Sequence, residues 1–388
     1  MAKRVIVCGA GLAGLNAARN LLSFGFEVIL LEKSDRPGGR IATELVDGFK
    51  LDRGFQVVNP SYSELRRTGV AKKLDLIEIP KGVDIRIASQ TFRVGDFRSN
   101  LGYLRDDFSS STGKLSEKLK FLAYLLRRPE ELSFGEAAAS FEGFFERTLK
   151  PFLDGVFLTD SRQISNRVAR ELIGWFIKGN PTLINGGIGK LAETLSEGLA
   201  IEYGAEVISV SEKEVVTNIG KFDADAIVVA TDPVGAATLL GQPVPEMNSC
   251  TTWYFKIQPD EIRSNHLRVG GIGPVANSLV LSNLLDDCAP EGAGLLQATT
   301  LEDCAEGEVR DHLSYLWDRD AADWELIARY EIAGALPRPG AGQGLVASAK
   351  LGNGVFVAGD WRNIPAQQGA LLSGRLAARA VNALLSER

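Results

Sequence analysis

Apolar positions in the first sixty residues change period twice. "RVIVC" (4–8) is an unbroken, β-branched run, the pattern of a strand buried on both faces of a parallel sheet. A glycine turn, "GAGLAG" (9–14), follows at once, and "LNAARNLLSFG" then sets Leu15, Ala18, Leu21 and Leu22 at helical spacing up to Gly25. "FEVILLE" (26–32) is again continuously apolar and stops at Glu32. Strand, turn, helix and strand therefore succeed one another.

After Glu32 the pattern shortens. Two extended runs, "IATELV" (41–46) and "FKLD" (49–52), flank Asp47-Gly48, a strong hairpin signal, and a second glycine turn, "DRGFQ" (52–56), closes them. "GVDIRIASQTFRV" (82–94) reads as a pair of strands, and helices are expected at about 114–128, 133–150 and 162–178. "NGGIGKLAETLSEGL" (185–199) predicts a glycine turn and a helix, followed by extended "AEVISV", "EVVT" and "ADAIVVATDP". "CTTWYFKI" (250–257) is strand-like, "GVFVAGD" (354–360) is a buried strand, and "QQGALLSGRLAARAVNALL" (367–385) is a helix whose early turns carry small residues. The helix at "LKFLAYLLRRP" (119–129) has an apolar face and a basic end, which suits either packing on its own domain or a peripheral membrane contact.

Composition narrows the classes. The chain has 388 residues, 45% hydrophobic and 24% charged, enough for two or three ordinary globular domains or one discontinuous pair. A net charge of −6 without a clustered basic surface argues against a nucleic-acid partner. Four cysteines without CxxC spacing and only two histidines leave no metal site and suit a reducing compartment. No signal-peptide pattern and no run of about 18 apolar residues is present, so a cytoplasmic location is the default.

The strand–glycine–helix–strand unit has the logic of a dinucleotide site. Gly9 permits a tight turn, Gly11 lets the backbone approach a pyrophosphate at the helix N-terminus, and Gly14 allows close helix-to-strand packing. Glu32 is placed to accept hydrogen bonds from ribose hydroxyls. This unit alone does not separate NAD from FAD. The excursion after Glu32, in place of another helix and strand, suits the longer cofactor.

At this point "GAGLAG", Glu32, "RPGGR" and "LDRGFQ" resemble the N-terminal signature of the flavin-containing amine oxidase superfamily, which includes monoamine oxidases, protoporphyrinogen oxidase and phytoene-type desaturases. The resemblance implies an α/β fold, with a Rossmann-like FAD-binding domain (1–74, 186–240 and 336–388) and a discontinuous α+β substrate domain (75–185 and 241–335). It implies a cofactor site built from Gly9, Gly11, Leu12, Ala13, Gly14, Glu32, Lys33, Gly38, Gly39, Arg40, Gly54, Phe55 and Gln56. Later segments add Val207, whose backbone contacts adenine, with Ala230, Gly359 and Asp360, and with Gln368, Gly369 and Ala370 at a helix N-terminus facing the flavin. It also implies that "AEVISV" pairs with the nucleotide-binding sheet.

Flavin chemistry fits a chain with no evident acid–base constellation, since the flavin itself accepts the hydride. The substrate is expected to be a small, hydrophobic or cyclic molecule, oxidised or desaturated. An amine oxidase producing peroxide and a non-redox or isomerase-like flavin protein remain alternatives. Phe55, Trp253, Phe255 and Trp361 are the pocket candidates, with Tyr254 sent to the opposite face by strand alternation.

Overall fold

The computed structural model describes residues 2–338 and 345–386. Strand β1 (Arg4–Cys8), helix α1 (Leu12–Ser23) and strand β2 (Glu27–Glu32) form where the period changes predict them. β1 lies inside a six-stranded sheet ordered 350–352, 355–357, 226–229, β1, β2, 201–203. All pairs are parallel except the antiparallel edge strand Lys350–Gly352. Val5 to Cys8 are fully buried because both faces are covered. Val5 and Val7 pack on the side of α1 and the helix Gln367–Ser386, while Ile6 and Cys8 meet a small three-stranded sheet of 207–210, 214–217 and 220–223. Burial pushes the Cys8 thiol up to about 12, so it is an inert core residue.

The two covering helices approach closely. A Cβ on Gly374 would stand 2.1 Å from the carbonyl oxygen of Ala13, and Asn16 Nδ2 donates to the carbonyl of Leu371 at 2.6 Å. Small residues on the early turns of the last helix are what permit this contact.

A hairpin of β3 (Thr43–Val46) and β4 (Phe49–Asp52) turns through Asp47 at φ 49° and Gly48 at φ 85°. The second large sheet has seven strands, in the order 325–337, 247–257, 294–300, 275–280, 267–270, 82–87, 90–95. Helix Glu306–Trp317 covers one of its faces. The other face turns toward the hairpin and the glycine turns, where Tyr254 Oη donates to the carbonyl of Asp52 at 2.7 Å.

Three expectations need correction. The strand added to β2 is Ile201–Tyr203, whereas Val207–Val210 of "AEVISV" pairs antiparallel with Glu214–Thr217 in the three-stranded sheet. Gly204, at φ 71°, turns the chain between them. Next, the single helix expected at 133–150 is a succession of short turns that includes a π segment, Phe145–Leu149, before helix Lys150–Phe157. Pro151 has no N–H for the preceding turn, which is where the wider winding occurs. The third expected helix begins at Asn166, after a separate 3₁₀ turn at 161–163.

Candidate functional site

The glycine turn between β1 and α1 opens on a cavity of about 1450 Å3. Gly9, at φ 103°, donates its N–H to the carbonyl of Leu31 at 2.7 Å, and any Cβ there would meet Ala230 O at 2.6 Å. Gly11 precedes α1 in an extended conformation, and no atom lies within 4 Å of where its Cβ would be. No side chain caps α1, so the unpaired N–H groups of its first turn sit where Gly11, Leu12 and Ala13 line the cavity. A Cβ on Gly14 would stand 1.9 Å from Gly9 O. These three glycines therefore serve three different geometric needs.

Glu32 joins the end of β2 to this turn. Its Oε2 accepts from Ala10 N at 2.7 Å, and its Oε1 accepts from Ser34 N at 2.9 Å and Ser34 Oγ at 2.7 Å. It is 7% exposed, and its neighbour Lys33 also lines the cavity. The "RPGGR" loop lies alongside: Gly38 N donates to Ala10 O at 2.9 Å, with φ 116° at Gly38 and 59° at Gly39. A Cβ on Gly39 would be 3.6 Å from Gly11 Cα.

Arg40 connects segments far apart in sequence. Its Nη2 pairs with Asp360 Oδ1 at 2.6 Å and its Nη1 donates to Ala335 O at 3.0 Å, while Gln56 Nε2 donates to the Arg40 carbonyl at 3.1 Å. Burial works against the guanidinium charge, but Asp360 outweighs it and holds the pKa above its ordinary value. The pair sets "RPGGR" against "AGD" on the cavity wall.

Gly54, Phe55, Val207, Ala230, Gly359 and Ala370 also line the cavity. Gln368 and Gly369 do not. Gln368 Oε1 accepts from Glu64 N at 3.0 Å and its Nε2 donates to Ser63 Oγ at 2.9 Å, turned away from the cavity. Gly369 is pressed against Ile364, whose carbonyl would stand 1.8 Å from a Cβ. At this helix start the glutamine on the cavity is Gln367, with a buried Oε1 that has no partner among the described residues.

The pocket aromatics are also corrected. Trp253 and Phe255 pack against helix Glu306–Trp317, with Arg329 over Trp253 and Arg310 over Phe255. Alternation along the strand separates them from Tyr254, and it is the Tyr254 side that turns toward the hairpin and glycine turns. Trp361 packs against the outer core of the six-stranded sheet, beneath Arg362. Of the four candidates only Phe55 faces the cavity.

Away from the glycine turn one wall of the cavity is apolar. Phe121, Leu125, Phe152, Leu172, Phe176 and Ile177 line it, from three helices none of whose residues the sequence singled out as pocket candidates. Helix Leu115–Leu126 presents Phe121 and Leu125 inward and Leu115, Leu119 and Leu126 outward, the last 90% exposed. Among the described residues, no helix is long and apolar enough to cross a membrane.

Asp52 closes the hairpin beside Phe55 and Tyr254, around a separate void of roughly 10 Å3. Its Oδ1 accepts from Thr43 Oγ1 at 2.6 Å and Ile188 N at 2.9 Å. Burial raises the carboxyl to about 6, against the lowering effect of those two donors. A raised carboxylate binds more protons folded than unfolded between about pH 4 and 6, so stability falls as pH rises through that window and then levels off. Asp52→Asn removes this dependence. The melting temperature of the unsubstituted chain should fall relative to the variant across the window, by the equivalent of about 3 kcal/mol; parallel profiles would refute the coupling.

The comparisons fit this geometry. The profile of the flavin containing amine oxidoreductase family matches residues 12–382. The chain belongs to that family. Polyamine oxidase 3 of Oryza sativa subsp. japonica is 30% identical over 264 residues, 59% of this chain and 51% of the relative. The 4,4'-diapolycopene oxygenase of Methylomonas sp is 30% identical over 265 residues, 58% and 52% respectively. The alignments thus span about half the length of these curated relatives. Putrescine oxidase bound to putrescine has the same fold, with a TM-score of 0.73 and 17% identity over 99% of both chains. Family membership brings a flavin into question at this cavity. The uncapped α1 N-terminus, the open space over Gly11 and the buried Glu32 carboxylate fit an adenosine diphosphate end.

Proposed function

We propose that the chain is a FAD-dependent oxidoreductase that removes a hydride from a hydrophobic or cyclic substrate. The observation that carries this reading is one continuous cavity, polar where it meets the glycine turn and Glu32 and walled by apolar side chains from three helices elsewhere. When bound, FAD supplies the hydride acceptor. Gly11 and the α1 N-terminus hold the pyrophosphate, Glu32 the ribose, and Arg40, kept in place by Asp360, the middle of the cofactor. Phe121, Leu125, Phe152 and Phe176 orient an apolar substrate and exclude water. Asp96, a carboxylate on the cavity outside the glycine turns, is already paired with Arg98 at 2.7 Å, which favours an apolar substrate over an amine.

The test is flavin reduction. Purified chain reconstituted with FAD should keep its oxidised-flavin absorbance and bleach anaerobically with a polyene or a porphyrinogen, but not with putrescine or spermidine. The polyene is offered in phosphatidylcholine vesicles, because the outward leucines of helix Leu115–Leu126 suit contact with lipid. Failure to take up FAD overturns the proposal. Bleaching by amines alone replaces it with the amine oxidase reading, and no bleaching by any reductant in the panel with the non-redox one.

A further inference from the structure

The cavity-facing side of the seven-stranded sheet carries a polar patch with a defined hydrogen-bonding sense. Thr252 pairs in register with Thr299, and Thr299 with Asn277, so the three share one face, with Gln297 two residues before Thr299 on the same side. Their exposures are 0% for Thr252 and Gln297, 3% for Thr299 and 5% for Asn277. Asn277 and Thr299 line the cavity, with Gln297 behind them.

Gln297 determines what the other two can offer. Its Nε2 donates to Thr299 Oγ1 at 2.6 Å and to Asn277 Oδ1 at 3.3 Å. One lone pair of each cavity oxygen is therefore engaged, while among the described residues nothing accepts from the Asn277 amide N–H pair or the Thr299 hydroxyl, which stay free to donate. Asn277 Nδ2 fits because residue 155 is glycine; a Cβ there would come within 2.6 Å of it. Donors on residues more than nine-tenths buried are costly to leave unmet. Among the described residues of the seven-stranded sheet that line the cavity none is charged.

We infer that Asn277 and Thr299 form a subsite for a neutral carbonyl oxygen carried on the apolar substrate. The inference rests on the proposed function for the identity of the cavity, and it adds a substrate feature: a hydrocarbon skeleton with one carbonyl at the end that meets the sheet. Two neutral donors recognise an oxygen acceptor without the counter-charge that a carboxylate needs.

The experiment compares cyclododecanone with cyclododecane as competitors for bound Nile red, using the purified full chain. The ketone is expected to displace the dye at about tenfold lower concentration, the ratio that roughly 1.4 kcal/mol of net hydrogen bonding gives. Thr299→Val, which keeps the shape, should cut that preference to about threefold, and Thr299→Val with Asn277→Ala should abolish it, with cyclododecane displacement unchanged. Equal displacement by the two compounds in the unsubstituted chain overturns the subsite, as does an undiminished preference in Thr299→Val. Thr299→Val decides alone if the double variant does not fold. A chain that prefers the ketone but takes up no FAD fails only the proposed function. A chain that takes up FAD and bleaches but treats ketone and hydrocarbon alike fails only the subsite.

Discussion

Glu32→Ala is expected to lower FAD retention by at least tenfold and to destabilise the chain at the same time. Two ribose hydroxyls donating to a carboxylate are each worth about 1.5–3 kcal/mol, so loss of even one approaches or exceeds a tenfold change in affinity. The carboxylate also serves the protein itself. It accepts from Ala10 N and Ser34 N, and Ala10 is fully buried, so alanine leaves an unmet N–H at the glycine turn. That adds about 1–3 kcal/mol of destabilisation. Glu32→Gln should be intermediate, because an amide presents an acceptor to only one of those two N–H groups and a second donor to the other. Flavin absorbance per chain after gel filtration, together with melting of the FAD-free forms, separates the two effects. A folded Glu32→Ala chain that retains FAD like the unsubstituted one would falsify the assignment.

The glycine-turn end of the cavity was legible in the sequence because its elements are short-range and strongly patterned. β1, α1 and β2 are contiguous, and each glycine has a local reason visible in the spacing. Arg40 and Asp360 are far apart in the chain, yet the resemblance singles out each, and the structure pairs them on the cavity wall. The far end was not legible, for a different reason. Strand Met247–Ile257 is buried on both faces, so alternation separates Trp253 and Phe255 from Tyr254 without saying which side meets the cavity. Trp253 and Phe255 were the pocket candidates, and they pack instead on helix Glu306–Trp317. Gln367 and Gln368 differ by one helical step of about 100°, which is below the resolution of a pattern argument at a helix start. Ile201–Tyr203 escaped notice because three half-exposed residues carry less strand signal than "AEVISV".

Gly11 and Gly14 give the sharper test of whether cofactor or packing shaped the turn. Both are expected to abolish flavin retention when replaced by alanine, but only one should damage the fold. At Gly14 the new Cβ meets the carbonyl oxygen of Gly9 at 1.9 Å, a backbone atom that cannot swing aside. Relief requires α1 to lift away from the turn, and α1 is also held by the last helix, where Gly374 lies under Ala13. Overpacking of this kind costs about 1–3 kcal/mol, and more where backbone must move. Gly14→Ala should therefore melt well below the parent even without FAD. Gly11 is extended, at φ −71°, and open, so alanine there introduces no strain and no clash within the protein. Its methyl instead occupies the space beside the unpaired N–H groups of α1, where the pyrophosphate is proposed to lie. Gly11→Ala is expected to melt like the parent in the FAD-free form and to show no flavin absorbance after gel filtration. If it binds FAD normally, the phosphates do not approach the backbone at Gly11, and the placement of the cofactor along this turn has to be redrawn.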